Sequence, residues 1–252
     1  MILNTGARTD TVQYFSKWLL KRFEEGFVYT RNPLFPNKVI KYELTPEKID
    51  AVLFCSKNYR PILPRLHEIT DQYRTYFHYT VTAYGKEIEP GVPSIDESIK
   101  TLIELSELVG RQRVAWRYDP VLLTEKYTIE KHLAPYIDRC IFSFVEMYRR
   151  LENNMPELIP MTEADKERLA EGLGRIARKY AVRIQTCGTN GDYGRYGIHS
   201  SGCATLEILG AANHCTFREI KHKGLREGCH CIESRDLGAY DTCLNGCKYC
   251  YA

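Results

Sequence analysis

The first 186 residues alternate between short β-rich segments and amphipathic helical patterns. The strands predicted from this alternation cover residues 2–4, 51–55, 76–82, 113–117, 140–145 and 182–186. Several of these segments are dense in apolar and aromatic side chains, which is typical of strands covered on both faces. Alternating β and α units imply parallel strands joined by right-handed crossovers. The pattern predicts an α/β fold, either a partial (β/α) barrel or a doubly wound open sheet.

Capping signals mark where the predicted helices begin. Asp10 precedes an apolar-periodic segment that extends to about residue 25, and Gln13 stands three positions later, as in a capping box. Ser94 and Thr162 begin two further helices, each with an acidic residue three positions later. These signals place helices between successive strands, as the alternation requires.

Two segments depart from the alternation. Residues 27–44 contain two strand-like runs punctuated by Asn-Pro and Pro-Asn pairs, which predicts a hairpin insertion. Residues 187–252 are rich in glycine and cysteine, and a short helix is expected around 204–210. We therefore expect barrel units over 1–186 and an irregular, cysteine-rich region over 187–252 that completes the barrel.

Composition narrows the class of protein. No apolar run approaches the roughly 20 residues needed to span a bilayer, and the first residues lack the pattern of a secretory signal, so we expect a cytoplasmic protein without a membrane partner. The net charge of +3 carries no strong polyanion signature. One basic cluster suits either a solvated loop or a phosphate-bearing ligand such as nucleic acid; it consists of Arg218, Lys221, His222, Lys223 and Arg226.

The ten cysteines are unevenly placed, because eight of them follow residue 186. In a reducing compartment, clustered cysteines more often bind metal or carry out redox chemistry than form disulfides. Residues 243–250 read CLNGCKYC, with C-x3-C-x2-C spacing. Three thiolates on a tight loop can bind three irons of a cubane and leave the fourth iron open, and Gly246 lets the backbone bend closely. Structural zinc instead prefers four closed ligands, usually from paired knuckles.

Four more cysteines form a second candidate set: Cys187, Cys203, Cys229 and Cys231. Four thiolates suit a second [4Fe–4S] cluster or a zinc ion, and cysteine spacing alone does not name the metal. Cys215 is left over. Cys55 and Cys140 lie in apolar strands, which indicates small core residues.

Polar and ionisable residues follow the predicted strands, at the edge where parallel α/β proteins place their active sites. The candidates are Arg8, Asp10, Lys57, Glu89, Arg117, Asp119 and Glu146. Asp10 has an alternative interpretation as a helix N-cap, and the others have one as ordinary surface charges. Together, these strand ends predict a ligand-lined mouth.

The motif at 243–250 resembles the cluster loop of the radical S-adenosylmethionine superfamily. The resemblance implies that Cys243, Cys247 and Cys250 hold a [4Fe–4S] cluster whose free iron is chelated by the amino and carboxylate groups of S-adenosylmethionine. Reductive cleavage would then yield methionine and a 5′-deoxyadenosyl radical that abstracts a hydrogen from the substrate. Auxiliary clusters occur in this superfamily, so the resemblance favours iron at the second cysteine set.

The positions of the strand-end residues make them candidates for contact with S-adenosylmethionine and the substrate, because Arg and Lys suit a carboxylate and Asp or Glu suit ribose hydroxyls or an ammonium group. Catalytic roles are expected for Arg8, Asp10, Lys57 and Glu146. Cofactor-binding roles are expected for Gly246, Tyr249, Glu89, Arg117 and Asp119, with Tyr249 near the adenine. The partners expected are an unknown substrate and a reductant such as flavodoxin or ferredoxin.

Nearly the full length resembles a bacterial domain-of-unknown-function family grouped loosely with spore photoproduct lyase-like proteins. Its marks here are RTD at 8–10, SKN at 56–58, RYDP at 117–120, GAYDT at 238–242 and the final cysteine loop. The superfamily usually places its cluster loop after the first strand, whereas here it follows the last. The resemblance therefore implies a circularly permuted barrel in which residues 235–242 supply a strand beside 2–4.

Two other functions fit the same residues. One is an iron–sulfur or zinc protein for electron transfer or structure, without radical chemistry. The other is a nucleic-acid repair lyase, which the spore photoproduct lyase resemblance suggests and which the basic cluster alone supports from composition. A polar mouth favours the radical enzyme over a pure carrier, because a carrier needs no ligand cavity.

Overall fold

A computed structural model describes residues 1–35, 37–122, 134–221 and 228–251. Ten strands are present in this part of the chain: β1 (Ile2–Asn4), β2 (Phe27–Arg31), β3 (Val39–Glu43), β4 (Ala51–Ser56), β5 (Thr75–Thr80), β6 (Val114–Val121), β7 (Arg139–Phe144), β8 (Arg183–Thr186), β9 (Ile198–Ser200) and β10 (Ser234–Asp236). The α-helices are α1 (Thr11–Tyr14), α2 (Ser16–Glu25), α3 (His67–Thr70), α4 (Ile95–Val109), α5 (Arg149–Asn154), α6 (Glu163–Lys179) and α7 (Leu206–Asn213).

Eight strands form one parallel sheet in the order β10-β1-β4-β5-β6-β7-β8-β9. The six strands predicted from the alternation are all present within a few residues, so the α/β class is confirmed. The remaining two strands, β2 and β3, pair antiparallel with each other, which confirms the hairpin insertion. Strands from both predicted regions, 1–186 and 187–252, therefore belong to the same sheet.

The late strand β10 pairs in parallel with the first strand, with Ser234 opposite Ile2. The backbone N–H of Leu237 extends the contact by donating to the carbonyl of Asn4 at 3.0 Å. The predicted strand at 235–242 is thus in the right place but too long. The next residue, Gly238, packs closely on Thr9, so that an added Cβ at this glycine would lie 2.9 Å from Cγ2 of Thr9.

The two faces of the sheet bury different cores. Residues such as Leu3, Phe54 and Phe77 face a core that contains side chains of α1, α2 and α4. Farther along the sheet, α5 and α6 contribute to a second core with β7 and β8. Residues one position away in the strands, such as Ile2 and Tyr76, pack on α7 at the opposite face. Covering on both faces explains why the strands are almost continuously apolar.

The helix predicted from Asp10 to about residue 25 is interrupted at Phe15, between α1 and α2. Asp10 caps α1 by accepting from the backbone of Gln13. A complete capping box would also have the Gln13 side chain accept from the backbone N–H of Asp10. Among the described contacts, the Gln13 side chain instead donates to the carbonyl of Gly91 at 3.1 Å. Complete capping boxes begin α4 at Ser94 and α6 at Thr162, as predicted.

The helices in the described part of the chain include none that is both long enough and apolar enough to cross a bilayer.

Candidate metal centres

The four cysteines of the second set come together in space. The sulfur atoms of Cys187, Cys229 and Cys231 all lie within 4.8 Å of one another. The sulfur of Cys203 lies 3.3 Å from that of Cys231, and Cys203 also hydrogen-bonds to Cys187. The structure therefore gathers four thiols from three separate segments, and their donor chemistry suits a soft metal ion.

Elements from both ends of the sheet hold these thiols. Cys187 follows β8 directly, and its N–H donates to the carbonyl of Phe142 on β7 at 3.0 Å. Cys203 follows β9, whereas Cys229 and Cys231 precede β10. The segment after β9 and the segment before β10 pass closest to each other at Gly202, where an added Cβ would lie 2.5 Å from the carbonyl oxygen of His230. A residue without a side chain is needed at this crossing.

His78 supports the four thiols from inside the sheet. Its Nε2 lies 3.0 Å from the carbonyl oxygen of Cys203, and its Nδ1 lies 3.3 Å from the sulfur of Cys55. A carbonyl only accepts, so Nε2 carries the proton and Nδ1 receives the Cys55 thiol proton. Burial lowers the pKa of His78 to about 3 and raises the pKa of Cys55 to about 12. Both groups are therefore neutral near pH 7.

Cys55 and Cys140 are buried, and burial raises the pKa of Cys140 to about 12 as well. This confirms their interpretation as core residues. Cys215 follows α7 and is half-buried; it is not part of the four-thiol group in the described residues.

The C-terminal cysteine loop lies at the carboxyl edge of β1, β4 and β5. Gly246 adopts a left-handed backbone with φ of 62°, as its predicted role in a tight bend requires. The loop docks on the segment that follows β5. The N–H of Gly91 donates to the carbonyl of Asn245 at 2.8 Å, and the N–H of Lys248 donates to that of Ile88 at 3.0 Å. This backbone ladder fixes the course of the loop.

The spacing of Cys243, Cys247 and Cys250 differs from that of the four-thiol group. All three are half-buried. The three thiols are nonetheless close enough to interact electrostatically. Burial raises the pKa of Cys247 to about 12, and the charges of Cys243 and Cys250 add to this rise. The three are not among the ligand atoms packed within 4.8 Å of one another in the described chain. They are neighbours on one loop without forming a compact cage.

Asp10 holds the loop to the sheet. One carboxylate oxygen accepts from the hydroxyl of Ser56 at 2.6 Å. The other accepts from the backbone N–H of Lys57 at 2.9 Å and from the side-chain amide of Asn245 at 3.3 Å. Burial raises the pKa of Asp10, and these hydrogen bonds oppose that rise. The N-cap interpretation of Asp10 is thus confirmed, and its carboxylate also joins α1, β4 and the cysteine loop.

Lys57, Glu89 and Tyr249 form a buried polar cluster beside the same loop. The Lys57 ammonium donates to Glu89 Oε1 at 2.8 Å, and the Tyr249 hydroxyl donates to the same oxygen. Thr82 contributes a third donor at 2.7 Å. Glu89 is only 2% exposed, so these partners, and not water, satisfy its carboxylate oxygens. The Lys57 ammonium also lies 5.6 Å from the centre of the Tyr249 ring, within cation–π range.

Arg117 and Asp119 form an ion pair between the two cysteine sets. Burial opposes the rise in the pKa of Arg117, but the negative charges of Asp119, Cys203 and Cys187 raise this pKa above its usual value. Burial raises the pKa of Tyr251, and the charges of Asp119 and Cys250 add to that rise. The Nε of Arg117 is buried and has no hydrogen-bond partner among the described residues.

Arg8 and Glu146 complete the set of predicted site residues. Arg8 is tied to the β10 segment, because its Nε lies 3.6 Å from Asp236 Oδ2 and its Nη1 donates to the carbonyl of Gly238 at 3.3 Å. Glu146 follows β7 and is exposed. A single cavity lined by all seven strand-end residues stays a prediction. In the basic cluster, Arg218 contacts Asp50 at 3.1 Å, whereas His222, Lys223 and Arg226 lie outside the described residues.

Sequence reasoning missed three residues that organise these centres. Tyr14 donates its hydroxyl proton to Asn245 Oδ1 at 3.0 Å, so both belong to the support of the C-terminal loop. His78 was hidden in an apolar strand. Asn245 had one usable signal, since it stands inside the CLNGCKYC motif, but Tyr14 had none.

The comparison with protein families gives one result. A family described as "Domain of unknown function (DUF1848)" matches residues 2–252. The chain belongs to the DUF1848 family. Searches of curated proteins and of solved structures found no match to it. The description of the DUF1848 family names no reaction. Both cysteine sets fall inside the matched range.

Proposed function

We propose that this DUF1848 protein is an enzyme of the radical S-adenosylmethionine type, with a [4Fe–4S] cluster on Cys243, Cys247 and Cys250. The observation that carries the proposal is the pairing of β10 with β1. This pairing brings the cysteine loop to the carboxyl edge of a parallel sheet, where the residues that follow β1, β4 and β5 meet it. Active sites of parallel α/β proteins lie at this edge.

The donor set supports a cubane. Three thiols on one loop leave one iron without a protein ligand. Their wider spacing suits three separate irons better than one shared ion, because the irons occupy different corners. When bound, such a cluster supplies the electron that cleaves S-adenosylmethionine and releases a 5′-deoxyadenosyl radical. The residues around it fit a charged ligand rather than an apolar one.

The chain's own residues would prepare this site in two ways. Burial raises the pKa of Cys247; the positive charge of Lys57 lowers this pKa and the negative charge of Glu89 raises it, so Lys57 is the member of the pair that favours the thiolate needed for metal binding. Glu89 fixes Lys57 in place through their 2.8 Å ion pair. Arg117, with its unpartnered Nε, offers a donor suited to a carboxylate.

We also propose that the sheet curves into a partial (β/α) barrel of the permuted type. Apart from the β2–β3 hairpin, the strand order follows the chain from β1 to β9, with β10 beside β1, which supports this arrangement. The unpaired cysteines are in keeping with a cytoplasmic protein. A reductant such as flavodoxin or ferredoxin would supply the electron.

The test is anaerobic reconstitution with iron and sulfide, followed by dithionite and S-adenosylmethionine. We expect 5′-deoxyadenosine and methionine to form, and Cys250→Ala to abolish both. Cys215→Ala is the matched control and should retain activity, because this cysteine is in neither set. A protein that carries four irons on the loop and yields no 5′-deoxyadenosine would contradict the proposal and favour an electron carrier.

A further inference from the structure

We propose that Cys187, Cys203, Cys229 and Cys231 form a closed site for a single zinc ion, and that this ion joins the two ends of the parallel sheet. The site is independent of the cluster loop and of the reaction proposed above. Three features support the zinc site: the spacing of the sulfur atoms, the number of ligands and the positions of the four cysteines in the strand order.

The spacing of the sulfur atoms favours one shared ion. With a zinc–sulfur bond of about 2.3 Å, the sulfurs of a tetrahedral site lie about 3.8 Å apart. Cysteines that bind a cubane each reach a different iron, so their sulfurs are held roughly 6 Å apart. Here three sulfurs lie within 4.8 Å of one another, and Cys203 is 3.3 Å from Cys231. These separations suit a mononuclear ion, not a second cluster.

The ligand count favours a structural ion. Four thiolates fill the tetrahedral shell of zinc and leave no position for water or substrate. The backbone around the ligands is also fixed: His78 holds the carbonyl of Cys203 at 3.0 Å, and the Gln185 amide donates to the carbonyl of Gly202 at 2.9 Å. Such outer contacts orient the ligands of a metal site before the ion binds.

The positions of the ligands give the ion its role. Cys187 and Cys203 follow β8 and β9, at one end of the strand order, whereas Cys229 and Cys231 lead into β10 at the other. Between these segments, the N–H of Ile232 donates to the carbonyl of Ala204 at 3.0 Å. A metal ion shared by the four thiols therefore ties β10 to β8 and β9, and so holds in place the strand that carries the C-terminal loop.

The experiment measures zinc and iron in a variant without the three loop cysteines, Cys243→Ala/Cys247→Ala/Cys250→Ala. The protein is produced with both metals supplied and is purified without oxygen. We expect one zinc and no iron per chain. Four irons per chain in this variant would overturn the proposal in favour of a second cluster, and a protein with neither metal would overturn it as well.

The fourth ligand is tested by Cys203→Ser in the same background, with Cys215→Ser as the matched control. Cys203→Ser should lose the zinc and melt at least about 10 °C lower, whereas Cys215→Ser should keep both. If Cys203→Ser does not fold, a mercurial titration of the variant without the loop cysteines replaces it. One zinc should then be released as four thiols react, and release with two or fewer thiols would overturn the tetrathiolate site.

Discussion

Glu89 and Asp10 are buried carboxylates that accept hydrogen bonds from the cysteine loop, Glu89 from Tyr249 and Asp10 from Asn245. Both accept hydrogen bonds from side chains on other elements, Lys57 to Glu89 and Ser56 to Asp10. A buried carboxylate that loses its partners leaves an uncompensated charge, which costs several kcal/mol. These acids therefore stabilise the position of the loop before any ligand binds.

Glu89→Gln is expected to lower the free energy of unfolding by about 3 kcal/mol, because Lys57 would keep a buried charge without its partner. The double variant Lys57→Met/Glu89→Gln should recover at least about 1 kcal/mol relative to the sum of the single changes. Urea unfolding without oxygen measures all three. Glu104→Gln is the control: its partner is Arg60 at the surface, and with 46% exposure it should cost less than about 1 kcal/mol. Equal losses of unfolding free energy in Glu89→Gln and Glu104→Gln would contradict the role of burial.

Gly91 allows the loop to approach the segment after β5. A Cβ at this position would lie 2.6 Å from the carbonyl oxygen of Leu244 and 2.8 Å from Cα of Asn245, both backbone atoms. Gly91→Ala should therefore destabilise the protein by about 2 kcal/mol and reduce the iron bound after reconstitution. Thermal melting and iron analysis measure the two effects.

Gly172 supplies the matched control for that substitution. It lies within α6, and an added Cβ meets nothing within 4 Å. Gly172→Ala should stabilise the protein by about 0.5–1 kcal/mol through helix propensity. If both alanine variants bind iron like the original protein, the loop does not depend on the close approach at Gly91.

At the scale of elements, the short strand β10 connects the rest of the fold to the metal loops. It has three residues, Ser234–Asp236, and its side chains offer little apolar area. The next residue, Leu237, is 6% exposed and packs in the core that contains α1 and α2. This side chain provides the apolar anchor of the segment.

Leu237→Ala should lower the free energy of unfolding by about 2–4 kcal/mol, as expected for a buried leucine. Leu244→Ala, in the same segment but 70% exposed, should change it by less than about 0.5 kcal/mol. Chemical denaturation of the two variants gives the comparison. An unchanged midpoint for Leu237→Ala would mean that the segment is a separate appendage.

Elements with strong local patterns could be predicted from the sequence, and elements fixed by distant contacts could not. The six apolar strands were recognisable because both faces are buried, and the Ser94 and Thr162 caps because the signal is local. β10 has the polar sequence SRD, so only its pairing with β1 makes it a strand. Its predicted range of 235–242 was therefore too long.

The candidate sites divide in the same way. Cysteine counting grouped Cys187 with Cys203, Cys229 and Cys231, and the structure brings these four thiols together. The spacing that favours zinc depends on how β8, β9 and β10 are brought together, which no local pattern encodes. His78 and Tyr14 likewise act through contacts with residues far away in the sequence.

At the scale of the whole molecule, one sheet includes strands from both the 1–186 and the 187–252 regions. The N–H of Thr5 donates to the carbonyl of Leu53, and the N–H of Leu237 donates to that of Asn4, each at 3.0 Å. The two hydrogen bonds lie on neighbouring strand pairs. Early and late parts of the chain should therefore unfold together.

Native-state hydrogen exchange tests this cooperativity. The amides of Thr5 and Leu237 should exchange with the same free energy of opening, to within about 1 kcal/mol, because one cooperative unit contains both. An opening free energy several kcal/mol smaller at Leu237 would show that the late segment detaches alone. That result would support two separately folding regions at 1–186 and 187–252.

The pairing of Ile2 with Ser234 also sets an order of events during synthesis. A ribosome that adds about 5–20 residues per second needs roughly 10–50 s to make the chain between these two residues. Throughout that time β1 has one edge without its neighbour, and such edges attract other chains. Newly made protein is thus open to aggregation until its late segment emerges, and the delivery of metal to either cysteine set has to wait for the same moment.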